Sequence, residues 1–339
     1  MKKTALILAI STLASSGCYP QSNLPHELQD ALRYGAKAKL TTKIIDEHGV
    51  AVTNANVSVA YREKEEIKSK HGINDADGIH VAEVKSQRSG IGGQVSKDGY
   101  YTSSYEFPFI SNHEEIIKDG RWQPWNPTIP VVLRDIRNPI PMYVKRFHGY
   151  FDSGATVGFD CLKGDFIAPH GSGETADFTI HAEVGGIAYQ HMTKSVSIDS
   201  IDSDGGFMTL KKHNQSDFKS DYNAPEFGYI TNLVANSVYD RNKGEVGRHP
   251  VLFNSGNQYL VFKSRIVRDA ENKVISANYG KIYTDFGYAR ADDEMKRVAV
   301  NFTYYFNPTP NDRNLEFDGK DPLFKTTDRR KPHEWSREP

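Results

Sequence analysis

The chain has 339 residues and a net charge of −1, from 42 Lys and Arg against 43 Asp and Glu. A balance this even excludes the broad positive field that nucleic-acid binding requires, so no nucleic-acid partner is expected. Two cysteines are too few for a disulfide framework, and no apolar run beyond the first twenty residues reaches the ~20 residues of a membrane-spanning helix.

Residues 1–17 read as an export signal: Lys2 and Lys3 form a positive n-region, residues 4–14 an apolar stretch, and Ser15, Ser16 and Gly17 a small-residue exit before Cys18. This order resembles bacterial lipoprotein precursors, in which the cysteine thiol receives a diacylglyceryl group before cleavage in front of it. The resemblance implies that Cys18 is lipidated, with palmitate among its acyl chains, and that the lipid makes a membrane the partner of the chain. Tyr19 in place of Asp behind the cysteine implies sorting to an outer membrane, with the leaflet left open. Ordinary signal-peptidase cleavage after Gly17 is the alternative, since Ser15 and Gly17 are both small.

Residues 18–36 combine a polar tether, Tyr19-Pro20-Gln21-Ser22-Asn23, with a short helix over PHELQDALRYG, entered at Pro25 and stopped at Gly35. The period then changes to that of strands. Asp46-Glu47-His48-Gly49, Asn74-Asp75-Ala76-Asp77-Gly78 and Ser96-Lys97-Asp98-Gly99 are turns between apolar-alternating runs such as Asn56-Val57-Ser58-Val59. Residues 37–136 resemble the carboxypeptidase regulatory-like family in this order of turns and strands, ending at Val131-Val132-Leu133. That resemblance implies a prealbumin-like, immunoglobulin-related sandwich that acts as a spacer or adhesion module without catalytic residues. Two charged stretches, residues 62–70 and 111–125, read as insertions into it.

Pro139 and Pro141 mark a stiff joint. Residues 137–318 form a second β-rich domain, carried by Phe178-Thr179-Ile180-His181-Ala182, Tyr259-Leu260-Val261-Phe262-Lys263 and the alternating stretch from Arg297 to Phe306, with a hairpin across Asp269-Ala270-Glu271-Asn272-Lys273. It resembles an uncharacterised segment that accompanies such modules in exported bacterial proteins, and that likeness brings no activity with it. Residues 319–339 are a polar tail dense in charge and proline. The expected fold class is all-β, with two β-sandwich-like domains in series after the signal peptide.

Chemistry-bearing groupings are sparse. Asp312-Arg313-Asn314-Leu315-Glu316-Phe317-Asp318-Gly319 spaces oxygen atoms like part of a calcium loop, but Phe317 stands where that loop needs glycine, and alternating acids on an extended segment account for it. Asp199, Asp202 and Asp204 read as a turn. His26-Glu27-Leu28-Gln29-Asp30 lacks the second histidine of a zinc helix, and neither a metal nor a cofactor is expected. Cys161 reads as a small buried hydrophobe. Asp160, Asp165, His170 and Ser172 lie close together but lack the G-x-S-x-G pattern of a nucleophile elbow. Trp122 and Trp125, in a Gly- and Pro-rich stretch, are the candidate ligand-binding rings, for a glycan or another envelope protein, with burial of both rings between the two β domains as the competing account. The expected function is that of a non-catalytic envelope lipoprotein with a binding, adhesion or structural role. The alternative is an exported hydrolase of polysaccharide or peptide that uses acids of the second domain.

Overall fold

The computed structural model describes residues 24–64, 66–109, 116–187, 190–243, 251–284, 286–290, 294–320, 323–324 and 339. The leader, Cys18, its tether and most of the expected C-terminal tail lie outside these residues. As the alternating pattern predicts, the fold is all-β apart from one short helix. The chain divides into two units, Met1–Lys97 with Ser104–Leu133, and Asp98–Ser103 with Arg134–Pro339.

The first unit opens with α1 (His26–Tyr34), entered from Pro25 and ended by Gly35 at φ +80°, a left-handed value that costs glycine nothing. Only Ala31 of the helix is buried; Leu28 is half-buried and Leu32 exposed. Strands β1 (Ala36–Ile45), β2 (Asn56–Glu63), β3 (Glu66–Ile73), β4 (Ile79–Ser86) and β5 (Gly90–Ser96) follow. The chain then runs through β6 (Tyr100–Tyr101), which belongs to the second unit, and returns as β7 (Ser103–Pro108), β8 (Ile117–Lys118), β9 (Arg121–Trp122) and β10 (Thr128–Val132). One sheet is centred on β1, with β4 antiparallel along one edge and both β9 and β10 parallel along the other; β8 pairs with β9. The second sheet has the order β3-β2-β5-β7. Of residues 62–70, read from sequence as an insertion, 62–63 end β2 and 66–70 begin β3, which pair antiparallel with a 2.6 Å contact between Lys68 and Glu63.

One turn chemistry recurs. Asp46 accepts hydrogen bonds from the amides of His48 and Val50 at 2.8 and 2.9 Å, and Asp75 from those of Asp77 and Ile79 at 3.0 and 2.8 Å. In each case the third residue on, Gly49 or Gly78, takes a positive φ, which is why the sequence repeats Asp-x-x-Gly.

The second unit holds β6 and β11 (Arg134–Asp135), which pair antiparallel, then β12 (Tyr143–Asp152), β13 (Thr156–Asp160), β14 (Asp165–Phe166), β15 (Phe178–Ile187), β16 (His191–Ser200), β17 (Gly206–Lys211) and β18 (Asn232–Asp240). It ends with β19 (Gln258–Arg268), β20 (Val274–Ile282), β21 (Gly287–Arg290) and β22 (Arg297–Asn307). One sheet runs β12-β22-β20-β19-β17, with β21 also on β22, and the other runs β14-β13-β15-β16-β18. Between them lies a phenylalanine-rich core: Phe147, Phe159, Phe178, Phe262 and Phe302 are all buried, with ring centroids of Phe147 and Phe159 4.7 Å apart, mostly in the edge-to-face arrangement that aromatic quadrupoles favour. The opposite face of the β22 sheet is covered too, by Ala224, Leu315 and Phe317 packed on Tyr259, Tyr279 and Tyr305. Burial of both faces explains why β22 reads as a nearly continuous apolar run.

Two sequence expectations shift. Residues 98–103 and 134–136, placed by sequence in the first domain, cluster with the second unit. The Pro139–Pro141 stretch, read as a stiff joint between domains, falls inside the second unit. It lies along residues 314–318, with the Ile140 amide on the Glu316 carbonyl at 2.8 Å and the Asp318 amide on the Ile140 carbonyl at 3.0 Å. The Glu316 carboxylate, 1% exposed, accepts from Tyr101 Oη at 2.8 Å and from the amides of Arg137 and Asn138 at 2.9 and 2.7 Å. Hydrogen bonds to a buried charge are worth about 1.5–3 kcal/mol each. Glu316→Gln is therefore expected to lower unfolding stability in urea by at least about 2 kcal/mol, and Tyr101→Phe by about half that; melting of Glu316→Gln at the wild-type midpoint would show that this carboxylate pins nothing.

Candidate functional site

The candidate rings separate. Trp122, on β9, is fully buried in the first unit, its Nε1 donating to the Ser86 carbonyl at 2.9 Å and its ring stacked 6.3 Å from Phe109. An indole with no exposed face and a satisfied N–H is a core residue, so the expected pair of exposed rings is not formed. Nor is Trp122 a plug between domains, because its partners belong to its own unit. Trp125 is half-buried in the loop between β9 and β10, under the Arg121 guanidinium at 5.0 Å and the Lys39 ammonium at 5.8 Å.

The densest ionisable constellation lies in the second unit, where Arg265 of β19 reaches two carboxylates on the opposing sheet. Asp177 accepts Arg265 Nε at 2.9 Å and Ser264 Oγ at 2.7 Å on one oxygen, and Arg265 Nη2 at 3.0 Å and the Cys161 amide at 2.7 Å on the other. Asp160 accepts Arg265 Nη2 at 2.8 Å beside the amides of Leu162 and Lys163 at 2.9 and 3.2 Å, while its second oxygen takes those of Glu174 and Thr175 at 2.9 and 3.0 Å. Neighbouring strand residues normally point to opposite faces. Ser264 and Arg265 both meet Asp177 because β19 is bulged there and Arg265 adopts φ +52°.

Burial pushes the Asp160 pKa up, but the amides of Glu174, Thr175 and Lys163 and the Arg265 charge outweigh it, and the net value falls below the ordinary 3.8. The Cys161 thiol is driven well above its usual range by burial and the nearby Asp177 charge, and its backbone carbonyl accepts Tyr304 Oη at 2.8 Å. It is a neutral core thiol rather than a nucleophile. Sequence reasoning found Asp160 but not Asp177, which carries no motif, or Arg265, which lies 105 residues further along the chain.

The remaining groupings resolve into local structure. Ser172 donates through both its amide and Oγ to Asp165, at 2.9 and 2.8 Å, and the exposed His170 closes a turn through its amide to the Ile167 carbonyl. Among the described residues no contact joins the His170 ring to Ser172, so a base and a nucleophile are not brought together. Asp202 and Asp204 both pair with Arg268 at 2.6 Å, and Asp199 accepts from Ser197 and Asn232. Asp312 caps the Asn314 amide while Glu316 faces Tyr101, so the acids of the calcium-like stretch diverge. Among the described residues no cluster of His, Cys, Asp or Glu is arranged to hold a metal ion.

No family model matches the chain, and no curated protein does. Similar solved structures include a DUF3823 family protein from Parabacteroides merdae, at 10% identity and a TM-score of 0.21 over 68% of this chain and 91% of that one. Another is BcpA, the major pilin subunit of Bacillus cereus, at 10% identity and a TM-score of 0.22 over 78% and 69%. Likenesses of this size carry no inference about role.

The Asp160 clamp has a pH signature. A carboxylate whose native pKa is depressed contributes stability above its unfolded pKa and loses it as pH falls through the native value. Wild-type stability is therefore expected to fall from about pH 4 downward. Asp160→Asn is expected to be less stable at neutral pH and flatter over that acid range, as read by urea titration at a series of pH values; an acid limb unchanged by the substitution would show that Asp160 ionisation does not support the fold.

Proposed function

We propose that the protein is an exported, lipid-anchored component of the bacterial envelope, held at a membrane through Cys18 and acting by binding or as structure rather than by catalysis. The observation that carries this reading is the leader that ends Ser15-Ser16-Gly17-Cys18, followed by a polar tether and then by α1 only eight residues past the cysteine. A single acyl chain gives marginal, reversible attachment, whereas several together anchor stably, at about 0.8 kcal/mol per buried CH₂. No described helix is long and apolar enough to cross a membrane, so in this reading attachment is assigned to the lipid.

The non-catalytic part of the reading is supported by the state of the second unit's acids. Asp160 and Asp177 have both oxygens filled by protein donors, and a general acid or base needs an oxygen that reaches substrate. The order of turns in residues 37–136 supports a spacer module, by its resemblance to the carboxypeptidase regulatory-like family. In cells fed labelled palmitate, the wild-type chain is expected to take up label and stay with membranes washed in high salt, and Cys18→Ala to be label-free and released by that wash. An acyl-free Cys18→Ala protein still with the membranes after the high-salt wash would contradict the anchor.

A further inference from the structure

The even net charge conceals a one-sided distribution on the first unit. In β1 Lys37, Lys39 and Lys43 lie on the outer face, with Thr41 between them buried against Asn126, and the register sets Lys37 opposite Lys85 of β4 on one side and opposite Arg121 of β9 on the other. Three cations thus lie in one row across three strands. Lys39 stands in the next row, opposite Glu83 at 3.8 Å, and Lys43 stands further along, opposite Ile79. Trp125 lies over Lys39 and Arg121 on the same face. Glu83 is the one carboxylate in these registers among the described residues, and none of Lys37, Lys43, Lys85 or Arg121 is in an ion pair within them, although Glu63 of β2 is near enough to Lys85 to act on it electrostatically.

Like charges directly opposite across a strand pair destabilise a sheet. Solubility would be served as well by mixed signs, so the Arg121–Lys37–Lys85 row is a cost that an external anion would offset. The face measures roughly 15 by 20 Å from strand spacing and rise, flat and wide enough to meet several headgroups at once. It also follows the proposed anchor closely along the chain. β1 follows α1 directly, and the seven residues between Cys18 and His26 span at most about 25 Å.

We propose that this face of the first unit docks on an anionic phospholipid surface, with Lys37, Lys39, Lys43, Lys85 and Arg121 meeting headgroup phosphates and Trp125 at the interfacial level where indoles concentrate. The orientation rests on the lipid-anchor reading, but the binding does not, so it is tested on the full mature chain carrying Cys18→Ala and no lipid. Cosedimentation is measured with phosphatidylcholine vesicles, with and without about a third phosphatidylglycerol. Binding is expected only with phosphatidylglycerol, to be released by high salt, and to weaken about fivefold for each of Lys37→Gln, Lys85→Gln and Arg121→Gln. Glu83→Gln, which removes the one acid in these cross-strand rows and leaves the cations in place, is expected to strengthen it. Equal binding to neutral vesicles, or no effect of the Gln variants, would overturn the proposal. So would binding to soluble polyphosphate without binding to vesicles, which would assign the face to an extended polyanion. A wild-type chain that takes up no palmitate label would sink the anchor and leave this outcome standing.

Discussion

The second unit depends on one guanidinium. Arg265 ties together two carboxylates that lie on the sheet opposite its own strand, and without it Asp160 and Asp177 would be buried charges facing the end of an aromatic core. Removing one member of a buried, hydrogen-bonded ion network costs about 3–5 kcal/mol, because the remaining charges are left uncompensated. The left-handed backbone at Arg265 costs on the order of 1–2 kcal/mol for a side chain other than glycine, and the bonds it permits offset that. The bulge is thus the local irregularity that lets the two sheets of this unit be latched by charge as well as by phenylalanine packing.

The same latch constrains function. Acids poised for catalysis keep an open oxygen and a tuned pKa, whereas Asp160 is ringed by backbone amides that hold it ionised. In the first unit the cations described above share one face of the β1 sheet. In the proposed arrangement that unit follows the lipid directly, so a short tether, a one-residue helix seat at Ala31 and a basic sheet face succeed one another within the first part of the chain.

What was legible in the sequence follows physical locality. The Asp-x-x-Gly turns at Asp46 and Asp75, and the Asp269 turn with Asn272 at φ +65° in the glycine place, are decided within five residues and were readable. So was α1, bounded by Pro25 and Gly35. The excursion of Tyr100-Tyr101 into the second unit was not, because its reason is a buried carboxylate more than two hundred residues on, at Glu316. Trp122 and Trp125 look alike in sequence, and only the pairing of β9 with β1 turns one inward and leaves the other on the outer face. The basic row was invisible to composition because net charge sums over the chain, while cross-strand register decides which charges become neighbours.

The clamp is tested most directly by native-state hydrogen exchange on Arg265→Met. If Arg265 latches the two sheets, the substitution lowers global stability by about 3–5 kcal/mol, and the Cys161, Glu174 and Thr175 amides, which donate to the two aspartates, exchange by local opening rather than with global unfolding. Wild-type stability with unchanged protection at those amides would show that the phenylalanine core holds the unit by itself, and that the aspartates remain available for another task.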